Sequence, residues 1–466
     1  MDSYTKLFVG GEWRDGADGG RIGVENPATG ELFAEVAAGT PADAVAAVHA
    51  ADHAQKAWAK VAPRTRAEVL RSAWQILGAH SDELAQLIVS ENGKPLADAR
   101  GEVAYAAEFF RWNAEETVRI RGELGTAPAG ANRMIVHHPP VGVVVMVTPW
   151  NFPAAMITRK LAPALGAGNG VVIKPPAQTP LTALRVAELL TEAGVPEGLV
   201  NVVPTNTSGA WFDAAVAETP TRMVSFTGST EVGRVLLKRA ADRVLKTVME
   251  LGGNAPFVVF ADADLEAAVD GAMVAKMRHS AETCTAANRF LVERAAVPEF
   301  TERLAAAMAA VKVGNGLDAD VACGPLIDQP SRDKIDGLVA AAVGAGAQVA
   351  VGGSAIDGPG YFYEPTVLAG VEPDNAITRE EIFGPVAPIV AFDDVDTMVD
   401  IANDTEMGLI GYVYTADLAK GLAVSERIQA GMIGLNQGAV SDPAAPFGGM
   451  KQSGLGREGS TEGIYE

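Results

Sequence analysis

Cysteine is nearly missing from this sequence: Cys284 and Cys323 are the two cysteines among 466 residues. Such sparse usage argues against a disulfide framework and favours a reducing compartment, so we expect a cytoplasmic protein. Neither cysteine has a partner at the spacing of a zinc site, and the six histidines are scattered. We therefore expect no bound metal.

Basic residues and long apolar runs are also scarce. Lysine and arginine number 37 against 58 aspartates and glutamates, which gives a formal net charge of −21. Nucleic acids and anionic membranes bind basic surfaces, so we expect neither as a partner, and an anionic ligand would need a local basic pocket. The apolar run at 141–147 is far too short to cross a bilayer, and the first residues lack the apolar core of a secretory signal.

The residues that are present are typical of a globular protein, with 48% hydrophobic and 20% charged residues. The spacing of apolar residues predicts helices over 42–59, 65–92 and 104–118, with an interruption at 93–103. Short alternating segments between 125 and 140 predict an extended hairpin or arm, suited to oligomerisation.

From residue 141 apolar strands alternate with amphipathic helices, and a second alternation begins near 255 and continues to about 450. Continuous apolar strands between helices indicate parallel sheets that are covered on both faces. The sequence therefore predicts an α/β fold, with a doubly wound nucleotide-binding domain and a separate α/β catalytic domain.

Five motifs are more specific. They are Asn151 in VTPWNFP, Lys174 in VVIKPPAQTP, Glu250 in VMELGGNAPF, Cys284 in SAETCTAANRF and Glu381 in REEIFGP. Together, with their separations, they resemble the aldehyde dehydrogenase superfamily over nearly the whole chain. The resemblance implies a cofactor domain at 1–121 and 141–252, a catalytic domain at 253–452, and an oligomerisation arm and tail at 122–140 and 453–466. It also implies a homodimer or homotetramer.

The resemblance gives the catalytic residues their roles. Cys284 would attack the aldehyde to give a thiohemiacetal and then a thioester, with the Asn151 amide and the Cys284 backbone N–H stabilising the developing oxyanion. Glu250 would activate the water that hydrolyses the thioester. Taken singly, each residue also fits a structural role: Cys284 as a buried small side chain, Asn151 as a turn residue and Glu250 as a surface charge. Cys323 matches no catalytic position, and we interpret it as structural.

The cofactor residues also follow from the resemblance. The start of the helix after strand 223–226 would bind the pyrophosphate, and Lys174 the adenosine ribose. At Ala177 NAD-preferring members commonly carry a glutamate that would repel a 2′-phosphate, so we predict NADP, with NAD as the alternative. The cofactor-binding residues implied are Thr148, Pro149, Trp150, Lys174, Ala177, Gly228, Ser229, Leu251, Glu381 and Phe383.

Four positions resemble the substrate-binding residues of the family branch that oxidises succinate semialdehyde. The resemblance implies that Arg159, Arg278 and Ser441 hold the distal carboxylate of the substrate and that Phe447 lies near the substrate tunnel. Glutarate semialdehyde and a broad range of aldehydes remain alternatives in the same class. A thiol hydrolase using His279 and a catalytically silent binding protein are alternatives from other classes.

Two departures from the family pattern surround the nucleophile. Glu282 stands where the family often has glutamine, and its carboxylate would raise the pKa of the thiol if it faced the sulfur. Thr285 and Ala286 follow Cys284 where some members of the branch have a second cysteine, so we predict no redox switch there.

Overall fold

The computed structural model describes residues 3–466. The strands are β1 Leu7–Val9, β2 Glu12–Arg14, β3 Arg21–Asn26, β4 Glu31–Ala37, β5 Glu123–Thr126, β6 Arg133–Val136, β7 Val143–Val147, β8 Gly170–Lys174, β9 Val200–Val202, β10 Thr221–Thr227, β11 Lys246–Glu250, β12 Ala255–Val259, β13 Ala287–Glu293, β14 Gln348–Val351, β15 Thr366–Ala369, β16 Val386–Phe392, β17 Ile410–Tyr414, β18 Met432–Leu435 and β19 Gly454–Leu455. The helices are α1 Pro41–Trp58, α2 Pro63–Ala79, α3 Ser81–Asn92, α4 Leu96–Thr117, α5 Ala155–Ala167, α6 Pro180–Glu192, α7 Ser208–Ala217, α8 Thr230–Ala241, α9 Leu265–Met277, α10 Val297–Ala309, α11 Gln329–Gly344, α12 Ala376–Arg379, α13 Val395–Asn403, α14 Leu418–Arg427 and α15 Glu462–Tyr465.

The first sheet has the strand order β19-β11-β10-β7-β8-β9-β1-β2. Its five central strands, from β11 to β9, run parallel. At one end β19 pairs antiparallel with β11, and at the other β1 pairs antiparallel with both β9 and β2. Successive residues of β7 enter two different cores: Val144 and Met146 pack with α2 to α6, and Val143 and Val145 pack with α1 and α7. Burial of both faces confirms the doubly wound sheet predicted from the apolar strands.

The second sheet has the order β14-β15-β16-β13-β12-β17-β18. It is parallel apart from the edge strand β14. Its central strands also have two buried faces, with Phe257 and Val259 in one core and Val258 in the other. This is the second α/β unit that the sequence predicts after residue 255.

The helix boundaries near the N-terminus differ from the prediction. The helix predicted over 65–92 is two helices, because the backbone at His80 leaves helical geometry and its imidazole contacts Glu83 at 2.9 Å. The predicted interruption at 93–103 is confined to Gly93–Pro95, since Gly93 has φ +90° and α4 begins at Leu96. Gly101 lies inside α4 without breaking it. Strands β1 to β4 were not predicted.

The predicted extended arm is present as the antiparallel hairpin of β5 and β6. The tail does not stand apart from the first sheet, since β19 pairs with β11 and α15 packs against α5. No helix among residues 3–466 is long and apolar enough to cross a membrane.

Candidate active site

The first sheet brings its carboxyl strand ends together at one edge. Val147 is in register with Lys174 and with Phe226, and Thr227 is in register with Glu250. These residues end β7, β8, β10 and β11, so the loops that follow them meet at the edge where open α/β sheets bind ligands. The sequence motifs around 148–151, 174, 228–229 and 250–251 are therefore adjacent in space.

A cleft of about 880 Å³ lies at this edge, between the two sheets. Cys284 faces it from the loop before β13, opposite Asn151 from the loop after β7. The predicted cofactor residues that line the cleft are Pro149, Trp150, Gly228, Ser229, Leu251, Glu381 and Phe383. Thr148 and Lys174 are buried just behind it at the strand ends, and Ala177 packs against the core of the first domain.

Several groups in and beside the cleft fit a dinucleotide. Ser229 lines the cleft and caps α8 by accepting a hydrogen bond from the Val232 N–H, so a helix begins at the cleft, as at many phosphate sites. The hydroxyls of Thr148 and Thr227 are buried with no hydrogen-bond partner in the described chain. Burial lowers the pKa of Lys174 to about 8, and its Nζ donates to the Pro175 carbonyl at 3.1 Å. Such desolvated donors suit phosphate and ribose oxygens.

Glu381 enters the cleft from the second domain. Its Oε1 accepts a hydrogen bond from the Gly253 N–H at 2.9 Å, which ties it to the loop between β11 and β12. Burial raises the pKa of Glu381 to about 7. A Cβ added at Gly253 would lie 2.3 Å from the Cys284 carbonyl oxygen, so this close approach to the nucleophile loop requires glycine.

The nucleophile loop has an unusual backbone. His279, Ser280 and Ala281 all have positive φ, between 54° and 68°, which non-glycine residues rarely adopt. The Asn151 side-chain amide donates to the Glu282 carbonyl at 2.9 Å, beside the thiol. Burial, and then the charge of Glu381, raise the pKa of Cys284 to about 12, so the protein alone holds this group as a thiol.

Glu250 is a buried carboxyl without a hydrogen bond. Neither of its oxygens has a partner among residues 3–466. Burial, and then repulsion from Glu458, raise the pKa of Glu250 well above its usual range, while Lys160 and Arg159 oppose the shift. Lys160 Nζ lies 2.5 Å from a Glu458 oxygen, so this ion pair leaves Glu250 unneutralised. A buried, unpartnered carboxyl with a raised pKa is suited to general base catalysis.

Other polar groups near Cys284 are buried and packed against neighbouring segments. Glu282 Oε1 accepts the Ile327 N–H at 3.0 Å. Burial lowers the pKa of His279, whose ring packs 4.0 Å from that of Phe152. Cys323 is buried in the core of the second domain. Among residues 3–466 no cluster of His, Cys, Asp or Glu has the arrangement of a metal site.

The predicted substrate residues converge on Ser441. Arg159 Nη2 donates to Ser441 Oγ at 3.2 Å, and the Arg159 guanidinium lies 3.9 Å from the centre of the Phe447 ring. Arg278 shares a small pocket with Ser441. Arg159 and Arg278 both lower the pKa of Cys284 by their charge, against the larger effect of burial, so both lie within electrostatic range of the thiol.

Tyr105 was not predicted and belongs to this group. Its hydroxyl is 2.6 Å from Ser441 Oγ and accepts a hydrogen bond from Arg159. The sequence signal was weak: Tyr105 lies on the same face of α4 as the buried Phe109, which predicts packing and gives no indication of a partner 336 positions away.

The chain belongs to the aldehyde dehydrogenase family, since the model of that family matches residues 13–466. It is 53% identical over 435 residues to a succinate-semialdehyde dehydrogenase of Paenarthrobacter nicotinovorans, covering 93% of this chain and 97% of the relative. It is 45% identical over 461 residues to a glutarate-semialdehyde dehydrogenase of Pseudomonas putida, covering 99% and 95%. A crystal structure described as an E. coli NADP-dependent enzyme superposes with a TM-score of 0.97, at 44% identity and coverage of 99% and 96%. The predicted family and fold class are confirmed.

Proposed function

We propose that this NAD(P)-dependent aldehyde dehydrogenase oxidises a short aldehyde with a terminal carboxylate, succinate semialdehyde first and glutarate semialdehyde next. The observation that carries the proposal is the grouping of Arg159, Arg278 and Ser441 near Cys284. Two guanidinium groups and a hydroxyl bind a carboxylate through charge-assisted hydrogen bonds. The similarity to enzymes for the four- and five-carbon semialdehydes supports the same substrate class.

In the proposed mechanism the Cys284 thiol gives its proton to Glu250, which releases it to solvent. The sulfur bonds to the aldehyde carbon as the carbonyl π bond opens, giving a thiohemiacetal. The charge that develops on the aldehyde oxygen is stabilised by the Asn151 amide and the Cys284 backbone N–H. NAD(P)+, when bound, supplies the acceptor for the hydride that leaves this carbon. The carbon is thereby oxidised to the level of a thioester on Cys284.

Glu250 completes the cycle. Its carboxylate takes a proton from a water molecule, whose oxygen attacks the thioester carbon. The carbon–sulfur bond then breaks, which releases the acid and restores Cys284. Glu250 is suited to this step because its unpartnered oxygens are free to bind the water.

NADP is the proposed cofactor. Ala177 places no carboxylate near Lys174, so the 2′-phosphate of NADP meets no repulsion from that position. Lys174 Nζ has a single hydrogen-bond partner, the Pro175 carbonyl, and so keeps donors for a phosphate. The structural similarity to an NADP-dependent enzyme agrees with this choice.

The proposed assembly is a homodimer or homotetramer in the cytoplasm, built in part through the β5–β6 hairpin. Leu124, Met134, Ile135 and Val136 expose apolar side chains on this hairpin, with Leu124 at 74% exposure. Leu124 and Ile135 are paired across the hairpin and so share one face, and exposed apolar side chains grouped in this way are typical of a protein contact.

Reduced-nicotinamide absorbance tests the substrate proposal. Succinate semialdehyde, glutarate semialdehyde and butanal are each supplied with NAD or NADP to wild type, Arg278→Ala and the surface control Arg303→Ala. We expect kcat/KM for the carboxylated aldehydes to exceed that for butanal by about 100-fold or more, with the difference largely lost in Arg278→Ala alone. Equal rates on all three aldehydes would leave a broad-specificity enzyme, and turnover without nicotinamide would support a thiol hydrolase.

A further inference from the structure

The segment between α3 and the middle of α4 contains a buried ion pair outside the active-site cleft. Lys94 Nζ lies 2.5 Å from a Glu102 oxygen, and both side chains are at most 1% exposed. Breaking such a pair on one side leaves an uncompensated buried charge, while a well-packed apolar pair often serves stability equally well. A role beyond stability therefore has to come from what else the two residues contact.

Both residues contact the loop that carries Asn151. Lys94 Nζ donates a second hydrogen bond to the Asn151 carbonyl at 2.6 Å and lies 4.5 Å from the centre of the Phe152 ring. The other oxygen of Glu102 accepts hydrogen bonds from the N–H groups of Ala154 and Ala155, at 2.8 and 3.2 Å. The pair thus holds the backbone of this loop at Asn151, in its middle, and again where α5 begins.

The same segment also holds the loop that carries Cys284. Asp98, on α4 between Lys94 and Glu102, accepts a hydrogen bond from the His279 N–H at 2.8 Å. His279 is the first of the consecutive residues with positive φ before the nucleophile. The Asn151 amide donates a hydrogen bond to the Glu282 carbonyl in the same loop. Residues 94–102 therefore contact both the loop of Asn151 and the loop of Cys284, whose relative positions must be fixed for the reaction.

We propose that the Lys94–Glu102 ion pair is a positioning device for the oxyanion donor, holding the Asn151 amide at a fixed place beside Cys284. Oxyanion stabilisation depends on donors that are aligned before the charge develops, and a misplacement of about 1 Å can cost roughly 100-fold in rate. Lys94 and Glu102 act through Asn151 and do not touch the substrate. This inference rests on the proposed role of Asn151.

The test is a double-mutant cycle on the full-length enzyme with Lys94→Met, Asn151→Ala and the combination. Asn151→Ala alone is expected to lower kcat roughly 100-fold or more. Lys94→Met is expected to lower kcat about tenfold or more, with KM for the aldehyde and the Kd for NADPH little changed. In the Asn151→Ala background Lys94→Met should cause no further loss, because the group it positions is gone.

Glu102→Gln provides a second variant that keeps an acceptor for the Ala154 and Ala155 amides and nearly the same shape. It should lower kcat without changing circular dichroism, and it decides the question if Lys94→Met does not fold. Arg100 lies on α4, as Glu102 does, and forms an exposed ion pair with Asp82 of α3. Arg100→Ala is therefore the matched control and should leave kcat unchanged.

Two results would overturn this inference. Equal loss from Lys94→Met in both backgrounds would mean general destabilisation, and unchanged kcat in a folded Glu102→Gln would mean no positioning role. If Asn151→Ala keeps full activity, the proposed role of Asn151 as oxyanion donor is wrong, and this single variant shows it without the double mutant.

Discussion

The guanidinium of Arg159 donates a hydrogen bond to the hydroxyl of Ser441 at 3.2 Å, although 282 positions separate the two residues. Arg159 is 2% exposed and lies on α5, which the Glu102 carboxylate caps, while Ser441 lies in the loop after β18. The contact therefore joins α5 to the loop after β18, at the place where we propose that the substrate carboxylate binds.

Ser441→Ala should weaken binding of the carboxylated substrate selectively. Hydrogen bonds to charged groups contribute about 1.5–3 kcal/mol, so we expect KM for succinate semialdehyde to rise about tenfold or more, with kcat retained. KM for butanal should be unchanged, and steady-state kinetics on both aldehydes measures this. Ser425→Ala, on α14 with its hydroxyl bonded to the Gly421 carbonyl, is the control. Equal changes for both aldehydes would show that Ser441 does not contact the carboxylate.

The sequence predicted the doubly wound parallel sheet whose strand ends meet at the cleft, for a physical reason. Buried parallel strands have continuous apolar runs, so the strands and the helices between them could be placed, and ligands bind where such strands end. The resemblance supplied the roles of Cys284 and Glu250. The burial of Cys284 and Glu250, and the pKa shifts that result from it, are properties of the folded structure.

Long-range contacts could not be predicted. Tyr105 and Ser441, or Lys94 and Asn151, are brought together by packing between segments whose local patterns are uninformative. The helix break was placed too broadly because glycine and charge clustering at 93–103 weaken a helical pattern, while packing of Val103 and Ala106 into the first core keeps α4 intact. The short strands β1 and β2, at one end of the first sheet, have three residues each, too few for a periodic signal.

Glu250→Gln should remove the rising limb of the pH profile. The pKa of Glu250 is raised, so its basic form appears only as pH rises through that higher value, and wild-type kcat should increase with pH. Glutamine cannot titrate, and hydrolysis should slow roughly 100-fold or more. A burst of about one equivalent of reduced nicotinamide should precede this slow phase, because the thioester accumulates. A variant with a normal steady state would exclude Glu250 as the base.

The same substitution has a stability consequence of defined sign. Because the folded protein holds the Glu250 proton more tightly than the unfolded chain, wild-type stability from this group is present below about pH 4.5 and is lost as pH rises through the raised pKa. Glu250→Gln lacks this loss, so its Tm should exceed that of wild type by an amount that grows from pH 5 to pH 8. A Tm difference that is constant with pH would contradict the assigned burial.

Alkylation of Cys284 should report on Glu381. With its pKa near 12, the free enzyme should react with iodoacetamide at a rate that keeps rising to pH 9 and beyond. The pKa of Glu381 is about 7, so Glu381→Gln should accelerate alkylation above pH 7, where the wild-type carboxylate repels the thiolate, and have little effect at pH 6. Cys323→Ser should react like wild type, because Cys323 is 1% exposed. Equal acceleration at both pH values would mean that the effect of Glu381 is steric.

Ala177→Glu should shift cofactor choice from NADP towards NAD. A carboxylate at this position, three residues after Lys174, would repel the 2′-phosphate and could accept hydrogen bonds from the ribose hydroxyls of NAD. We expect kcat/KM for NADP to fall about tenfold or more while that for NAD is unchanged or rises, since each tenfold change corresponds to about 1.4 kcal/mol. Ala177→Gln separates charge from size: it adds the same bulk to a position that packs against the first core, without the negative charge. If both variants lose NADP activity equally, steric exclusion explains the result. If neither changes the ratio of the two cofactors, position 177 lies outside the ribose site, and the choice must depend on the loops around Lys174 and Ser229.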